Sequence, residues 1–332
     1  MSEIETVEMH TGGEPVRIVT AGFAAPEGGT ILAKRRWAAL HAEELRRFLM
    51  WEPRGHADMY GVLPVEPDLP DADLAVLFMH NAGWSTMCGH AVIALGRFAV
   101  ERGLVPVREP ETPVRIQCPC GLVEALVEVR NGKSGAVRFR SVPAFAHGLD
   151  RVLEVEAVGP VLVDVGYGGA FYAVIDASQF GLDVGRSPIG ELVELAHRIT
   201  MAGRTQLELF HPDDPDLAFL YGTILTDGGY GEDVPSANVC VFAEREVDRS
   251  PTGSGVTARM ALMHRRRQVQ PGSIRRFASR TGAVFTGQVV QEERLGVLPA
   301  VRVEVAGRAH FTGTGRFTLE EDDQIGRGFL LG

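Results

Sequence analysis

Apolar residues recur along most of this chain with the two-residue period of strands, broken by four longer stretches of helical period. The opening reads as strand, turn, strand: Ile4–Met9 and Val16–Thr20 flank Thr11-Gly12-Gly13-Glu14-Pro15. Residues 30–50 read as one helix, with Leu40, Leu45, Phe48 and Leu49 on one face and Arg35, Arg36, Glu43 and Glu44 elsewhere. Leu74–Met79 is a short continuous apolar run, the mark of a buried strand. Ala91–Arg102 is apolar nearly all round and predicts a buried helix, with Gly103 as its stop. Strands follow at Val114–Cys118, Leu122–Val129, Ala136–Val142, Val161–Val165 and Phe171–Ile175. A helix is predicted over 188–202, then strands at Phe219–Leu225 and Val239–Phe242. Val256–Arg267 predicts a second mostly apolar helix, and strands return at 283–290, 299–305 and 309–319.

The two apolar helices are introduced in related ways. Cys88-Gly89-His90-Ala91-Val92 and Thr252-Gly253-Ser254-Gly255-Val256 share one form: a small nucleophile, Gly, a polar residue, a small residue, Val. They lie 164 residues apart, close to half of the 332. With strands on both sides of each helix, this predicts an α/β (α+β) chain of two similar halves. Each half is expected to be a mostly antiparallel or mixed sheet wrapped around one buried helix. The first half is placed at 1–135, with about 310–332 returning to it, and the second at 136–309. A chain of this length suits two domains.

Composition narrows the function. The chain is 45% hydrophobic and 23% charged, as an ordinary globular protein is. A net charge of −10 argues against nucleic acid or an anionic membrane as partner. No run of about 18 apolar residues predicts a membrane span. The acidic opening Met-Ser-Glu-Ile-Glu lacks the layout of a secretory leader, so a cytoplasmic location is expected. Four cysteines, Cys88, Cys118, Cys120 and Cys240, are too few for a disulfide scaffold and read as free thiols.

A helix N-terminus carries unpaired N–H groups and about half a positive charge. Two such ends facing one another would bind a carboxylate. Cys88 at one end would be biased toward thiolate and is a candidate general base, although an isolated Cys is more often core filler. Thr252 at the other can donate a hydrogen bond to an oxygen; its ordinary role is an N-cap. Asp248 either pairs with a substrate ammonium or is a turn residue. His90 offers a ring base, but its backbone N–H is expected to matter more. Cys118-Pro119-Cys120 is too tightly spaced for a usual zinc or redox pair. Gly166-Tyr167-Gly168-Gly169 and Gly313-Thr314-Gly315 match no phosphate-binding loop, and His264-Arg265-Arg266-Arg267 reads as a solvated helix end.

Met87-Cys88-Gly89-His90 and Asp248-Arg249-Ser250-Pro251-Thr252-Gly253-Ser254-Gly255 resemble the two signature segments of the proline racemase family. Met9–Pro15, Gly168–Ala173 and His310-Phe311-Thr312-Gly313 are similar to that family as well, so the resemblance spans essentially the whole chain. It implies the diaminopimelate epimerase-like fold, with the active site in the cleft between the halves. Racemases and epimerases of the family carry Cys in both signatures. The Cys88/Thr252 pair, with Leu220–Asp227, instead resembles the branch that dehydrates trans-3-hydroxy-L-proline. Ala82 departs from the pattern, which has an acidic residue before Gly-Tyr, and bears on local packing.

The resemblance implies a hydro-lyase that needs no cofactor and no metal. Cys88 would remove the α-proton of an imino acid, and Thr252 would orient or help protonate the departing oxygen. Gly89, His90, Gly253 and Ser254 would bind the carboxylate, Asp248 the ring nitrogen, and the product would be Δ1-pyrroline-2-carboxylate. A homodimer is allowed for. The rival readings are a proline racemase or 4-hydroxyproline epimerase, against which Thr252 argues, and a non-catalytic imino-acid-binding protein, against which Cys88 argues.

Overall fold

In the computed structural model described here, residues 3–331 are placed; Met1 and Ser2 of the acidic opening, and Gly332, lie outside the described residues. Two compact units emerge: the chain up to Val137 together with Arg308 onward, and Arg138–Gly307.

The first unit opens with β1 (Ile4–Thr11) and β2 (Glu14–Ala21). Gly12 and Gly13 both have positive φ, as a two-residue turn of the primed type requires. Then come α1 (Ile31–His41), α2 (Glu43–Met50), β3 (Tyr60–Val65), β4 (Leu74–His80), the short β5 (Trp84–Ser85) and α3 (Gly89–Glu101). β6 (Glu111–Cys118), β7 (Gly121–Arg130) and β8 (Lys133–Arg140), which runs across the boundary, complete this stretch.

The second unit follows with β9 (Phe145–Val155), β10 (Gly159–Tyr167), β11 (Phe171–Asp176), α4 (Ile189–Gln206), β12 (Leu220–Thr226), β13 (Ser236–Phe242), β14 (Glu246–Asp248) and α5 (Gly253–Arg265). β15 (Ile274–Ala278), β16 (Val284–Leu295) and β17 (Leu298–Gly307) close it, and β18 (Ala309–Phe317) returns to the first unit.

The two units repeat one plan. In the first, β1 and β2 are antiparallel, β2 is parallel to β3, β3 antiparallel to β4, β4 parallel to β6, and β6 antiparallel to β7. In the second, the same alternation runs β10, β11, β12, β13, β15, β16. A short antiparallel strand, β5 or β14, precedes the buried helix in each. An outer strand, β18 on β1 or β9 on β10, extends each hairpin. The buried helix packs on its own unit's strands: α3 on β1, β2, β6, β7 and β18, and α5 on β9, β10, β11, β16 and β17. Gly96 makes this possible in α3, since a Cβ there would stand 3.1–3.3 Å from Val137, Ala125 and Val127. Outside the first sheet, α1 and α2 bury Ala38, Leu45, Phe48 and Leu49 over Leu63, Leu77 and Met79.

Several expectations need correction. Residues 30–50 form two helices, because Ala42 leaves helical geometry at φ −113° and serves as C-cap of one and N-cap of the next. The break rotates Leu40 out of the core, to 77% exposure. Strands β3, β5, β9, β14 and β15 were not predicted. β9 carries His147, Gly148, Asp150 and Arg151 at half-buried or exposed positions, so its apolar alternation is weak. The basic segment 264–267 is not simply solvated. Arg266 is largely covered and pairs with Asp164 and Asp150, both at 2.7 Å, which drives its guanidinium's pKa upward. Among the described residues no helix is long and apolar enough to cross a membrane.

Candidate active site

In the first unit, β5 delivers the chain to Cys88, which caps α3 with extended backbone at φ −148°. Its sulfur accepts from the Ala91 N–H at 3.4 Å and lies 3.1 Å from His90 Nδ1. Both residues are buried, Cys88 at 4% exposure. The helix-start amides of Gly89 and His90 have no acceptor within the helix, as for any first turn. The ring of His90, expected to matter less than its amide, lies against the Cys88 sulfur. Tyr60 of β3 meets it edge-on at 4.8 Å between centroids, and the Tyr60 hydroxyl is 2.5 Å from Ser85 Oγ. Thr11 donates to the His90 carbonyl at 2.8 Å and so ties the β1–β2 turn to the helix start. No motif pointed to Tyr60, because its strand was not legible.

The remaining thiols differ in environment. Burial, with the charges of Cys120 and Cys88 adding to it, pushes the Cys118 thiol well up, and burial pushes Cys120 up to about 12. Such thiols stay protonated and inert. Among the described residues, no three His, Cys, Asp or Glu side chains are grouped as a metal site would need.

Beside Ala82, Trp84 is held by α1 and α2. Its indole N–H donates to Glu43 Oε1 at 3.0 Å, and its carbonyl accepts two bonds from Arg35, at 3.1 and 2.6 Å. Arg46 donates to the carbonyls of His80, at 2.7 Å, and Asn81. Burial raises the Glu43 carboxyl, but the hydrogen bond and charge of Arg46, with Trp84 and Arg47, outweigh it and hold it below its ordinary value.

In the second unit, β14 ends at Asp248, which is buried. Its Oδ1 accepts from the Ser250 N–H at 2.7 Å, and Ser250 Oγ accepts from the Thr252 N–H at 3.1 Å. Thr252 stands at the N-cap of α5 with φ +63° and ψ 89°. Its carbonyl makes the first helical bond, to Val256 N at 2.7 Å, but its side chain caps nothing. The hydroxyl is buried, the residue being 4% exposed, and has no hydrogen-bond partner. The N-cap role is therefore filled by Thr252's backbone alone. A buried, unpaired hydroxyl costs about 1–3 kcal/mol, and a β-branched residue at positive φ costs about as much again. Ser254 is fixed by its contact with the Tyr172 hydroxyl at 2.7 Å. Gly168, in the Gly-rich segment that matched no ligand loop, serves packing instead: a Cβ there would meet the Ser254 carbonyl at 2.2 Å.

The structure thus gathers Cys88, Gly89 and His90 at one helix start, and Asp248, Thr252, Gly253 and Ser254 at the other. Comparisons with known proteins bear on the family. The profile of the family described as proline racemase matches residues 6–330. A trans-L-3-hydroxyproline dehydratase of Xenopus tropicalis is 56% identical, with 99% of this chain and 95% of that protein covered. A trans-3-hydroxy-L-proline dehydratase of Homo sapiens is 53% identical over 99% and 94%. The crystal structure of a hydroxyproline epimerase from Agrobacterium vitis, with bound trans-4-hydroxy-L-proline, superposes with a TM-score of 0.93 at 28% identity, over 100% of this chain and 97% of that one. On its signature segments, its fold and a match across nearly its whole length, the chain belongs to the proline racemase family.

Proposed function

We propose that this protein is a trans-3-hydroxy-L-proline dehydratase, a hydro-lyase that forms Δ1-pyrroline-2-carboxylate and water. The carrying observation is the Thr252 hydroxyl, buried, without a partner and held at positive φ, at the signature position where the family resemblance implies a second Cys in racemases and epimerases. The names of the two dehydratase relatives support the same reading.

The proposed steps follow from the chemistry of each group. Cys88 acts as thiolate; the Ala91 N–H and the neighbouring His90 ring favour charge on its sulfur. It takes the α-proton of the imino acid. The carboxylate is bound by first-turn amides of Gly89, His90, Gly253 and Ser254, which stabilise the charge that develops on it. Asp248 has Oδ1 committed to Ser250, and Oδ2 pairs with the cationic ring nitrogen. As the C–H electron pair forms the C2=C3 bond, the C3–O bond breaks. Thr252 orients the departing oxygen through a hydrogen bond, and the Cys88 thiol returns the proton it has taken, so that the oxygen leaves as water and the thiolate is restored; in trans-3-hydroxy-L-proline the 3-hydroxyl and the α-hydrogen lie on the same face of the ring. The enamine then moves a proton from nitrogen to C3 and becomes the cyclic imine. A hydroxyl is too weak an acid–base group at neutral pH to exchange a proton with Cα efficiently, so inversion is not expected to compete.

The test is a panel of L-proline, trans-4-hydroxy-L-proline and trans-3-hydroxy-L-proline, scored for both inversion and cyclic imine. Imine from the 3-hydroxy substrate alone is expected. Rapid inversion of either of the other two, without imine, would put a racemase or epimerase in its place.

A further inference from the structure

The strained backbone of Thr252 has a visible cause, and it leads away from the signature segment to a charged residue buried two turns along α5. Arg259 is buried, yet its guanidinium bonds only neutral oxygens: Asn238 Oδ1 at 3.1 Å, Gly229 O at 3.1 Å and Ser236 Oγ at 2.7 Å. It also lies over the Phe277 ring, 4.7 Å from its centre. Burial lowers its pKa to about 10, against the longer-range pull of Asp227. Keeping a cation here costs desolvation energy that a directly bonded carboxylate does not offset.

What the cation does is orient Asn238. A guanidinium can only donate, so the amide oxygen of Asn238 must face it, and the amide nitrogen must face the other way. That nitrogen donates to the Pro251 carbonyl at 3.4 Å. The Pro251 carbonyl and the Thr252 N–H are the two polar ends of one planar peptide unit. Its N–H end is held by Ser250 Oγ, and its carbonyl end by Asn238. On the far side of Thr252, the next peptide plane is held by the Val256 N–H. With both planes fixed, rotation about the Thr252 N–Cα bond has nowhere to relax. This is how surrounding structure sustains a strained residue.

We propose that Asn238, oriented by Arg259, and Ser250 are positioning residues for the dehydration: together they clamp the Pro251–Thr252 peptide and aim the Thr252 hydroxyl. The inference rests on the dehydratase reading above. Neither residue touches substrate; both act through Thr252.

Two variants test it. Asn238→Asp keeps an acceptor for Arg259, now charged, but turns an oxygen instead of an N–H toward the Pro251 carbonyl. Ser250→Ala releases the other end of the peptide. Each is assayed for cyclic imine from trans-3-hydroxy-L-proline and for exchange of the α-hydrogen of L-proline in D₂O, which needs Cys88 but not the Thr252 hydroxyl. A misplacement of about 1 Å can cost roughly 100-fold in rate. We expect kcat for dehydration to fall about 10- to 100-fold in both, with KM and α-hydrogen exchange close to the wild type. Full dehydration by Asn238→Asp, in an assay where the wild type makes imine, overturns the clamp and leaves the dehydratase reading intact. Equal loss of exchange and dehydration in both variants, or failure of both to fold, makes these residues a requirement of the fold and also overturns it. A wild type that makes no imine sinks the dehydratase reading first.

Discussion

Cys88 and Thr252 hold matching places in two units of matching topology, and the chain treats them in opposite ways. Cys88 has an extended backbone that any residue adopts, and its sulfur is engaged by the Ala91 N–H and the His90 ring. Thr252 is forced to positive φ, and its hydroxyl is engaged by nothing. A group that must carry charge gains from neighbours that stabilise the charge. A group that must serve a substrate oxygen is better left without a protein partner to give up. On the proposed reading the difference is a division of labour within one repeated plan, and substitutions at the two positions should fail in different ways.

The largest effect is expected at the sulfur. Cys88→Ser removes the proposed base and should lower imine formation about 10²- to 10⁴-fold, while substrate still binds. It should abolish α-hydrogen exchange as well, because both reactions begin with the same proton. A Cys88→Ser enzyme with wild-type turnover would remove the base from the scheme. Next in size is Asp248→Ala, which strips the proposed partner of the ring nitrogen. Binding should weaken by about 2–5 kcal/mol, read as a rise in KM or in the Kd of a proline analogue. If KM and kcat both stay put, Asp248 is only the acceptor of the Ser250 turn.

Thr252→Cys erases the difference between the two ends directly. On the proposed reading, a thiol there would supply the second acid–base group that inversion needs. Dehydration should fall by up to about 100-fold, and slow inversion of L-proline should appear, limited by how well the new sulfur is placed. Chiral chromatography with mass detection on L-proline in D₂O reads both outcomes. The wild type should give deuterated L-proline and essentially no D-proline; rapid deuterated D-proline from the wild type itself would overturn the dehydratase reading.

Thr252→Gly separates function from stability. Glycine adopts positive φ freely and carries no hydroxyl to leave unpaired, although it loosens the unfolded chain. The variant should lose dehydration yet unfold at a higher denaturant concentration, by about 1 kcal/mol. Cys88→Gly should show no such gain, since its backbone is unstrained. A Thr252→Gly protein less stable than the wild type would show that packing of the Thr methyl outweighs the strain.

The contrast was only half legible in the sequence. The two helix starts could be found because small, glycine-rich segments before apolar helices leave a pattern, and Cys88, His90, Asp248 and Thr252 were named from it, whereas Gly89, Gly253 and Ser254 came with the family resemblance. The duplication was visible in the same two segments, although β3, β5, β9, β14 and β15 were not. Their partners and a neighbouring sheet decide those strands, and none of that is written in local periodicity. The handling of Thr252 could not be read at all. Its torsion angle is imposed by Asn238 and Arg259, on β13 and α5, and by Ser250, whose ordinary reading is a turn residue. The His90 ring was underrated for a similar reason: its contact with Cys88 depends on a side-chain direction set partly by Tyr60, far away in sequence.

The smallest expected effect concerns acid. In the second unit His211 is buried against Tyr167 and Phe145, with ring centres 4.6 and 6.0 Å away. Burial lowers its pKa, against the opposing pull of Asp213 and Asp214, and its Nδ1 accepts from the Asp213 N–H, which a protonated ring cannot do. His147, whose Nε2–H donates to the Glu208 carbonyl, is lowered by burial too. In the first unit His310 is lowered as well, by burial and then by His10, Arg97 and Arg308, but it is exposed and solvent screens it. A histidine whose folded pKa lies below its unfolded value of about 6.5 binds its proton more readily when unfolded. Its stabilising contribution is therefore complete above that value and is lost as pH falls through it toward the folded pKa. Urea midpoints should decline between pH 7.5 and 5.5, above the range where most carboxylates titrate. His211→Gln keeps an acceptor for the Asp213 N–H and cannot be protonated, so it should flatten that decline, whereas His310→Gln should leave it nearly unchanged. A decline equally steep in His211→Gln would place the acid sensitivity outside the second unit's buried aromatic cluster.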